Sequence, residues 1–508
     1  MKGLIYVKKI TALILAGLFV ISLASCDSGE VNEEITTEEQ VTEIPLPGGS
    51  LSVPYTSLDS LNPFYIKTVL NSCLVSLIYR SLYRINTAFM PEADLAASES
   101  LTGRTLKVYL TEELVFPDGA MLTAADVVYS YEKAKESYLY ANTLENISSC
   151  KEGEGNSIIF TLDEADVNAL AALTFPVVKK GTAESEDFLP VGNGYYQFSQ
   201  DGIRLSLKAN LKYAGEVPSV GTIRLTDVKG NTSAESLVSS GEIDFYYSDL
   251  SDSNITGVNS GVTNVYLNSL VYLGVNHANV NLLLASFRQA LSYAIDRPGI
   301  VENAYRGFAR STVSPFNISW EKFSAVSSDI SLSQDALKAS ELLSARGFGA
   351  DGISMDLKLI CNEGSSFMRN TASLIAGALE EHSINVTIKL LSSEGMKEAV
   401  AAGAYDLYLA EIKLPATMDL SQFFSPEGNA SYGIDLGSCS SDEAYFSYKS
   451  GDGSMEDFLS AFMAEMPFIP ILYRNGRLCY TRSATCEINA AEGNIFSDIN
   501  IWTFSAKE

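Results

Sequence analysis

Three short stretches in the second half of the chain change their hydrophobic period in a fixed order. Ser354 to Ile360 reads SMDLKLI, in which Met355, Leu357 and Leu359 alternate as a half-buried strand requires. FMRNTASLIAGALEEHSI follows, where Leu374, Ile375, Ala378 and Leu379 fall on one helical stripe. NVTIKL then returns to alternation through Val386, Ile388 and Leu390. Strand, helix and strand within about 35 residues predict a βαβ unit, with a right-handed crossover in a sheet. Upstream, Phe287, Ala290, Leu291, Ala294 and Ile295 recur at spacings of three and four, the mark of an amphipathic helix. That helix is expected to end before Pro298, because proline disfavours helical backbone at its predecessor. The Asp296-Arg297 pair at this end reads as structural.

FPDGAMLTAADVVYSYEKA, Phe116 to Ala134, places two carboxylates eight residues apart around a Gly and a Thr. They could be an acid/base pair or a metal loop, but each has a local task. Pro117-Asp118-Gly119 reads as a turn, with Gly free to take a positive φ. Thr123 is placed to N-cap a helix, and Asp126 at its third position completes a capping box at the positive helix end. Val127, Val128, Tyr131 and Ala134 form the buried face of that helix.

The N-terminus carries a different signal. Lys2, Lys8 and Lys9 precede an apolar run from Ile10 to Ile21, and LASC, Leu23 to Cys26, closes it. The run is short for a membrane span and has the layout of a secretory signal. LASC is similar to a bacterial lipobox, which implies lipidation of Cys26. Two or more acyl chains at about 0.8 kcal/mol per buried CH₂ would give stable anchoring. The segment after Cys26, DSGEVNEEITTEEQVTEIPLPGGS, holds seven acids and no Lys or Arg. It cannot bury enough apolar surface to offset its ordering entropy, and is expected to be a disordered tether.

The whole chain is 46% hydrophobic, and the part that follows the tether is long enough for two or more domains with substantial cores. A net charge of −27 argues against a nucleic-acid partner, which needs a basic footprint. Beyond Cys26 stand Cys73, Cys150, Cys361, Cys439, Cys479 and Cys486, with no C-x-x-C pair among them. They read as core thiols or structural bridges, and Cys479 with Cys486 could close a hairpin. His277 and His382 are the only two histidines. His382 suits a helix C-terminus, and His277 follows a buried strand, VYLGVN. Phosphate loops, G-x-G-x-x-G, H-E-x-x-H and G-x-S-x-G are all absent, so no enzyme, metal site or cofactor is expected.

An ordered set of segments resembles the bacterial extracellular solute-binding proteins of family 5, the peptide- and nickel-type receptors of ABC importers. The set begins with LSVPYTSLDSLNP and LIYRSLYRINTAFMPEADLAAS, then TLKVYLTEELVFPDGAMLTAADVVYSYEKA, its most specific member. PVGNGYYQF is similar to the family's Gly-Thr-Gly-Pro-Tyr turn, with Asn193 for Thr and Tyr195 for Pro. SLVSSGEIDF, YLGVNHA, FRQALSYAIDRPGIVENAYRGFA, AAGAYDLYL and EMPFIPILYRNGRL follow in the family's order across essentially the whole mature chain.

The resemblance implies a two-lobed α/β fold of the class II periplasmic-binding-protein type, with a hinge and a ligand cleft between the lobes. The expected organisation is a signal peptide at 1–25, a tether at 26–50 and lobe I at 51–265 with an inserted subdomain near 75–185. Lobe II follows at 266–475, and 476–508 returns to lobe I. The implied function is a membrane-anchored, extracytoplasmic, monomeric receptor that closes on a small solute, an oligopeptide or dipeptide, and hands it to permease subunits. The alternatives are a surface-anchored sensor or adhesion module, and a hydrolase on the same fold.

Peptide-binding relatives carry Trp-x-Ala-Asp soon after a Tyr-Asp strand, and its Asp pairs with the peptide amine. Here Tyr405-Asp406 leads to LYLAEIKLPATMDLSQFF, so Ile412, Leu414 and Pro415 stand for the Trp, Ala and Asp. A buried ammonium would then need another carboxylate, for which Glu411 and Asp419 are candidates, while Lys413 would suit an anion. Among 26 tyrosines, Tyr55, Tyr138, Tyr272 and Tyr473 fall near segments that face the cleft in the resembled family.

Overall fold

Alternating segments in the first half of the chain pair into two separate four-stranded sheets. The computed structural model describes residues 48–229, 233–326, 334–349, 353–482 and 488–502. The signal segment, Cys26, the acidic tether up to residue 47 and Cys486 lie outside them, and Ser50, placed in the tether from sequence, already belongs to the first strand. In one sheet Ser50–Tyr55 runs parallel to Thr222–Asp227, with Arg204–Ala209 and Tyr196–Asp201 beyond it. The other is antiparallel, in the order Ala96–Thr102, Thr105–Leu110, Ser157–Leu162, Ile147–Gly153. Its inward residues, among them Leu106, Val108, Ile158 and Phe160, are fully buried against the helix Ala124–Lys135.

That helix starts as its sequence dictates. Asp126 Oδ2 accepts from Thr123 N at 2.9 Å, completing the capping box, and Oδ1 accepts from Lys180 N at 2.9 Å. Asp118 accepts from Ala120 N at 3.0 Å inside the turn, where Gly119 takes φ 88°, and it pairs with Lys179. The Lys179 ammonium and the Ala120 amide hold the Asp118 carboxyl below its usual range. Both carboxylates shape the chain, as expected. The PVGNGYYQF segment shows why it needs glycines. A Cβ on Gly192 would lie 2.2 Å from the Ile78 carbonyl oxygen, and one on Gly194 would lie 2.6 Å from the Ile78 carbonyl carbon.

A seven-stranded sheet organises the second half. Its order is Phe245–Ser248, Ile469–Tyr480, Gly261–Val275, Leu407–Lys413, Met355–Asn362, Ile384–Leu391, and Ala309–Ser311 adds to Ile469–Tyr480. The predicted βαβ unit is present, as Met355–Asn362, the helix Ser366–Glu380 and the parallel strand Ile384–Leu391. Two positions differ from expectation. Leu374 is 36% exposed because the buried stripe runs through Phe367, Thr371, Ile375 and Leu379, and Leu390 is 45% exposed on the outermost strand. The helix over Ala285–Ala294 stops short of Pro298, but not through proline's effect on its predecessor: Arg297 opens the next helix, which Asp296 caps by accepting from Gly299 N at 3.0 Å. Arg297 is buried and donates to the Pro470 and Ser292 carbonyls, which confirms a structural role for the pair.

The apolar residues separate into two large cores. One gathers residues from Leu51 to Leu267 and again from Leu478 to Trp502. The other gathers Leu270 to Tyr473, joined by Phe89 and Leu250. The strands Gly261–Val275 and Ile469–Tyr480 belong to both. Val265, Leu267 and Leu478 lie in the first core, and Leu270 to Val275 and Ile469 to Tyr473 in the second. Their pairing shifts register between Tyr266 and Leu270, where one core gives way to the other. Buried Asn268 fills that irregularity, donating from its amide group to the Leu414 and Pro415 carbonyls at 3.2 and 2.9 Å.

Candidate functional site

A cavity of about 500 Å³ opens between the two cores. One wall is segment 142–172, which leaves the antiparallel sheet through Ile147 and Leu162 and ends in the turn Ala169–Ala172. The facing wall is segment 412–429 with Phe446 and Lys449 of the helix Ser440–Ser450. The volume suits a small solute, since ligand pockets run about 300–1,000 Å³.

Beside the cavity the walls are tied by polar groups. Val167 N donates to the Lys449 carbonyl at 3.0 Å, and Asn168 Nδ2 to the Tyr448 hydroxyl at 3.2 Å. Lys322 Nζ reaches Asn168 Oδ1 at 2.7 Å. The Lys449 ammonium, only 7% exposed, sits 3.0 Å from Asp419 Oδ2 and 3.6 Å from Glu164. Burial works against that ammonium, but Asp419 with Asp166 and Glu164 together outweigh it and the pKa is raised. Burial likewise pushes Asp419 up, yet Lys449, Ser421 and Tyr445 together hold its carboxyl below the usual range.

The residues singled out from sequence scatter. Lys413 and Asp419 line the cavity. Lys413 pairs with Glu492 at 2.8 Å, which raises its pKa, and so it is not a vacant anion receptor. Asp419 is engaged by Lys449, the Tyr445 hydroxyl at 2.6 Å and Ser421, and so it is not a vacant amine receptor. Glu411 lies outside the lining and is held by Arg474 at 2.8 Å.

None of the four tyrosines lines the cavity. Tyr272 is 3% exposed, edge-on to Tyr408, Phe423 and Phe468, because its strand is buried on both faces. Tyr473 is buried in the partner strand and donates to the Pro315 carbonyl at 2.6 Å. Tyr138 is 79% exposed on the outer surface, and Tyr55 is half-buried at a strand end. Burial and then the Asp227 carboxylate raise the Tyr55 hydroxyl. Sequence reading missed Lys449, and also Asp166 and Asn168, whose only local signal is the acidic run LDEAD before an apolar turn.

The two histidines are occupied structurally. His277 lies between the Pro467 carbonyl and the Asp435 amide, both at 3.1 Å, and burial together with Arg288 lowers its pKa to about 4. His382 follows the helix Ser366–Glu380 and contacts the Ser340 hydroxyl at 3.1 Å. Cys73, Cys150, Cys361, Cys439 and Cys479 are free thiols. Among the described residues no cluster of His, Cys, Asp and Glu is grouped to hold a metal, and no helix is long and apolar enough to cross a membrane.

Known proteins share this architecture. Glutathione-binding protein GsiB of Escherichia coli is 24% identical over 310 residues, which are 57% of this chain and 59% of that protein. The chain thus spans less than two thirds of that relative's length. Oligopeptide-binding protein AppA of Bacillus subtilis is 23% identical over 438 residues, covering 78% of this chain and 79% of its own. A solved ABC transporter substrate-binding protein from Sinorhizobium meliloti superposes with a TM-score of 0.73 at 18% identity, over 90% of this chain and all of that one. Its likeness shows the two-lobed α/β binding-protein fold. The family model for bacterial extracellular solute-binding proteins, family 5 (middle region), matches residues 90–430, and the chain belongs to that family.

Proposed function

We propose that this protein is the extracytoplasmic receptor of an ABC importer, anchored through a lipid on Cys26, that captures a small solute by lobe closure. In this reading the lobes are residues 51–265 with 476–508, and 266–475, and the strands Gly261–Val275 and Ile469–Tyr480 are the hinge. Peptides are the ligand class, in keeping with the oligopeptide- and glutathione-binding relatives. The observation that carries the reading is the cavity of about 500 Å³, walled by both cores and bridged by polar contacts that water can replace. Binding without turnover is further supported by both histidines being held in structural hydrogen bonds. Energy for transport would come from separate ATPase subunits, and the released cargo passes to the permease.

A thermal-stability screen of the purified chain with peptides, sugars and metal chelates tests this. At least one solute should raise the melting temperature and be recovered chemically unchanged. Silence across the whole screen, or recovery of a converted product, contradicts the receptor reading.

A further inference from the structure

The lining of the cavity is acidic, and its two ammonium groups are already engaged. Glu145, Asp163, Glu164, Asp166, Asp419 and Glu427 face it, against Lys413 and Lys449. Lys413 is held by Glu492, and Lys449 by Asp419 and Glu164. A general excess of acids would say only that the rim is well solvated. Asp166 is different. It is 4% exposed, yet it has no ion-pair partner among the described residues. Its Oδ1 accepts the Asn168 amide at 2.7 Å, and its Oδ2 has no hydrogen-bond partner among them. The ammonium of Lys322, which could have neutralised it, is directed to Asn168 Oδ1 instead.

A carboxylate this little exposed, with one hydrogen bond and an Oδ2 left open, is ionised more readily when a counter-charge arrives. We propose that Asp166 is the receptor for a side-chain cation of the solute, so that the cavity selects ligands with basic side chains, a basic peptide above all, through a side-chain ammonium or guanidinium donating to Oδ2. The proposal rests on the receptor reading and narrows its ligand class. It also relocates recognition of positive charge to the inserted segment, on the wall opposite Asp419.

The titration of Asp166 gives an independent handle. Burial lifts its carboxyl to about 6, the Asn168 amide opposes the rise, and Asp419 adds to it. Lys449 on the facing wall and Lys322 beside Asn168 pull it down, and Glu164 on its own segment is already turned to Lys449. A cationic ligand binds the ionised form, so affinity should weaken as pH falls through that value.

Calorimetric titration of the purified full chain with trilysine, trialanine and triglutamate decides the matter. At pH near 7.5 trilysine should bind about tenfold or more tighter than trialanine, with triglutamate weakest. Asp166→Asn should weaken trilysine by about tenfold and leave trialanine within about twofold. Trilysine affinity of the unaltered protein should fall between pH about 7.5 and about 5, a readout that stands even if the variant folds poorly. Equal binding of trialanine and trilysine, undiminished trilysine binding by Asp166→Asn, or a flat pH profile overturns the cation site while leaving the receptor reading standing. Binding of none of the three also overturns the cation site. It removes the receptor reading only if the wider solute screen is silent as well.

Discussion

Two of the seams between the cores are built from opposite materials. Along the strands Gly261–Val275 and Ile469–Tyr480, backbone pairing is broken only near Asn268 and again beside Tyr272. Leu270, Val271, Leu273 and Val275 are wholly buried on either side of those shifts. Across the cavity the cores meet instead through Val167, Asn168 and Glu164 on one side and Tyr448, Lys449 and Lys322 on the other. Parting the first seam would expose apolar surface at about 25 cal/mol per Å². Parting the second exchanges hydrogen bonds, each worth about 1 kcal/mol net, for bonds to water. The chemistry of the seams therefore assigns permanence to one and reversibility to the other. A receptor that must admit and release a solute needs both.

The comparison can be broken most forcefully at the strands. Leu270→Ala should cost about 3 kcal/mol in denaturant unfolding, the usual range for a buried leucine truncation. A loss below about 1 kcal/mol would mean that the shared strands are not a common core. Next comes Asp166. In the unfolded chain its carboxyl titrates in the ordinary range, whereas burial in the fold lifts it to about 6. The native state thus holds that proton more tightly. The resulting stabilisation is full below the unfolded value and is lost as pH rises through about 6. Asp166→Asn should accordingly be more stable than the unaltered protein by about 3 kcal/mol near pH 8, with the gap closing towards pH 4. An unchanged gap across that window would remove Asp166 as an uncompensated charge.

Smaller effects sharpen the polar seam. Asn168→Ala removes the bonds to Tyr448 and Lys322 and should destabilise the ligand-free protein by about 1 kcal/mol. Asp118→Ala, in an exposed turn far from the cavity lining, should change stability by about 0.5 kcal/mol or less and leave ligand affinity untouched. A large effect on binding would reopen the question of chemistry in the FPDGAMLTAAD stretch.

Local rules were legible in the sequence wherever a feature depends on near neighbours. The capping box of Thr123 and Asp126 and the βαβ unit of Met355 to Leu391 each follow from spacing within one or two turns of chain. Leu374 and Leu390 went astray because burial depends on which face a neighbouring element covers, and Ile384–Leu391 closes one edge of its sheet. The candidate site was harder to read. Tyr272 and Tyr473 lie on strands shared by both cores, where nearly every side chain is buried and polarity gives no clue to orientation. Asn168 and Tyr448 meet across 280 residues of sequence, and no periodicity links them. Lys449 reads as an ordinary helix-end lysine until the fold sets Asp419 beside it.

Hydrogen exchange at the Val167 amide tests reversible closure most directly, because this group donates across the polar seam to the Lys449 carbonyl. In the free protein it should exchange about a hundredfold or more faster than the Leu273 amide of the shared strands. Saturation with trilysine, or with whichever solute stabilises the chain, should slow Val167 by about tenfold or more and leave Leu273 unchanged. Equal protection of Val167 with and without ligand, or protection as deep as that of Leu273 in the free protein, would contradict a cleft that opens and closes at this seam.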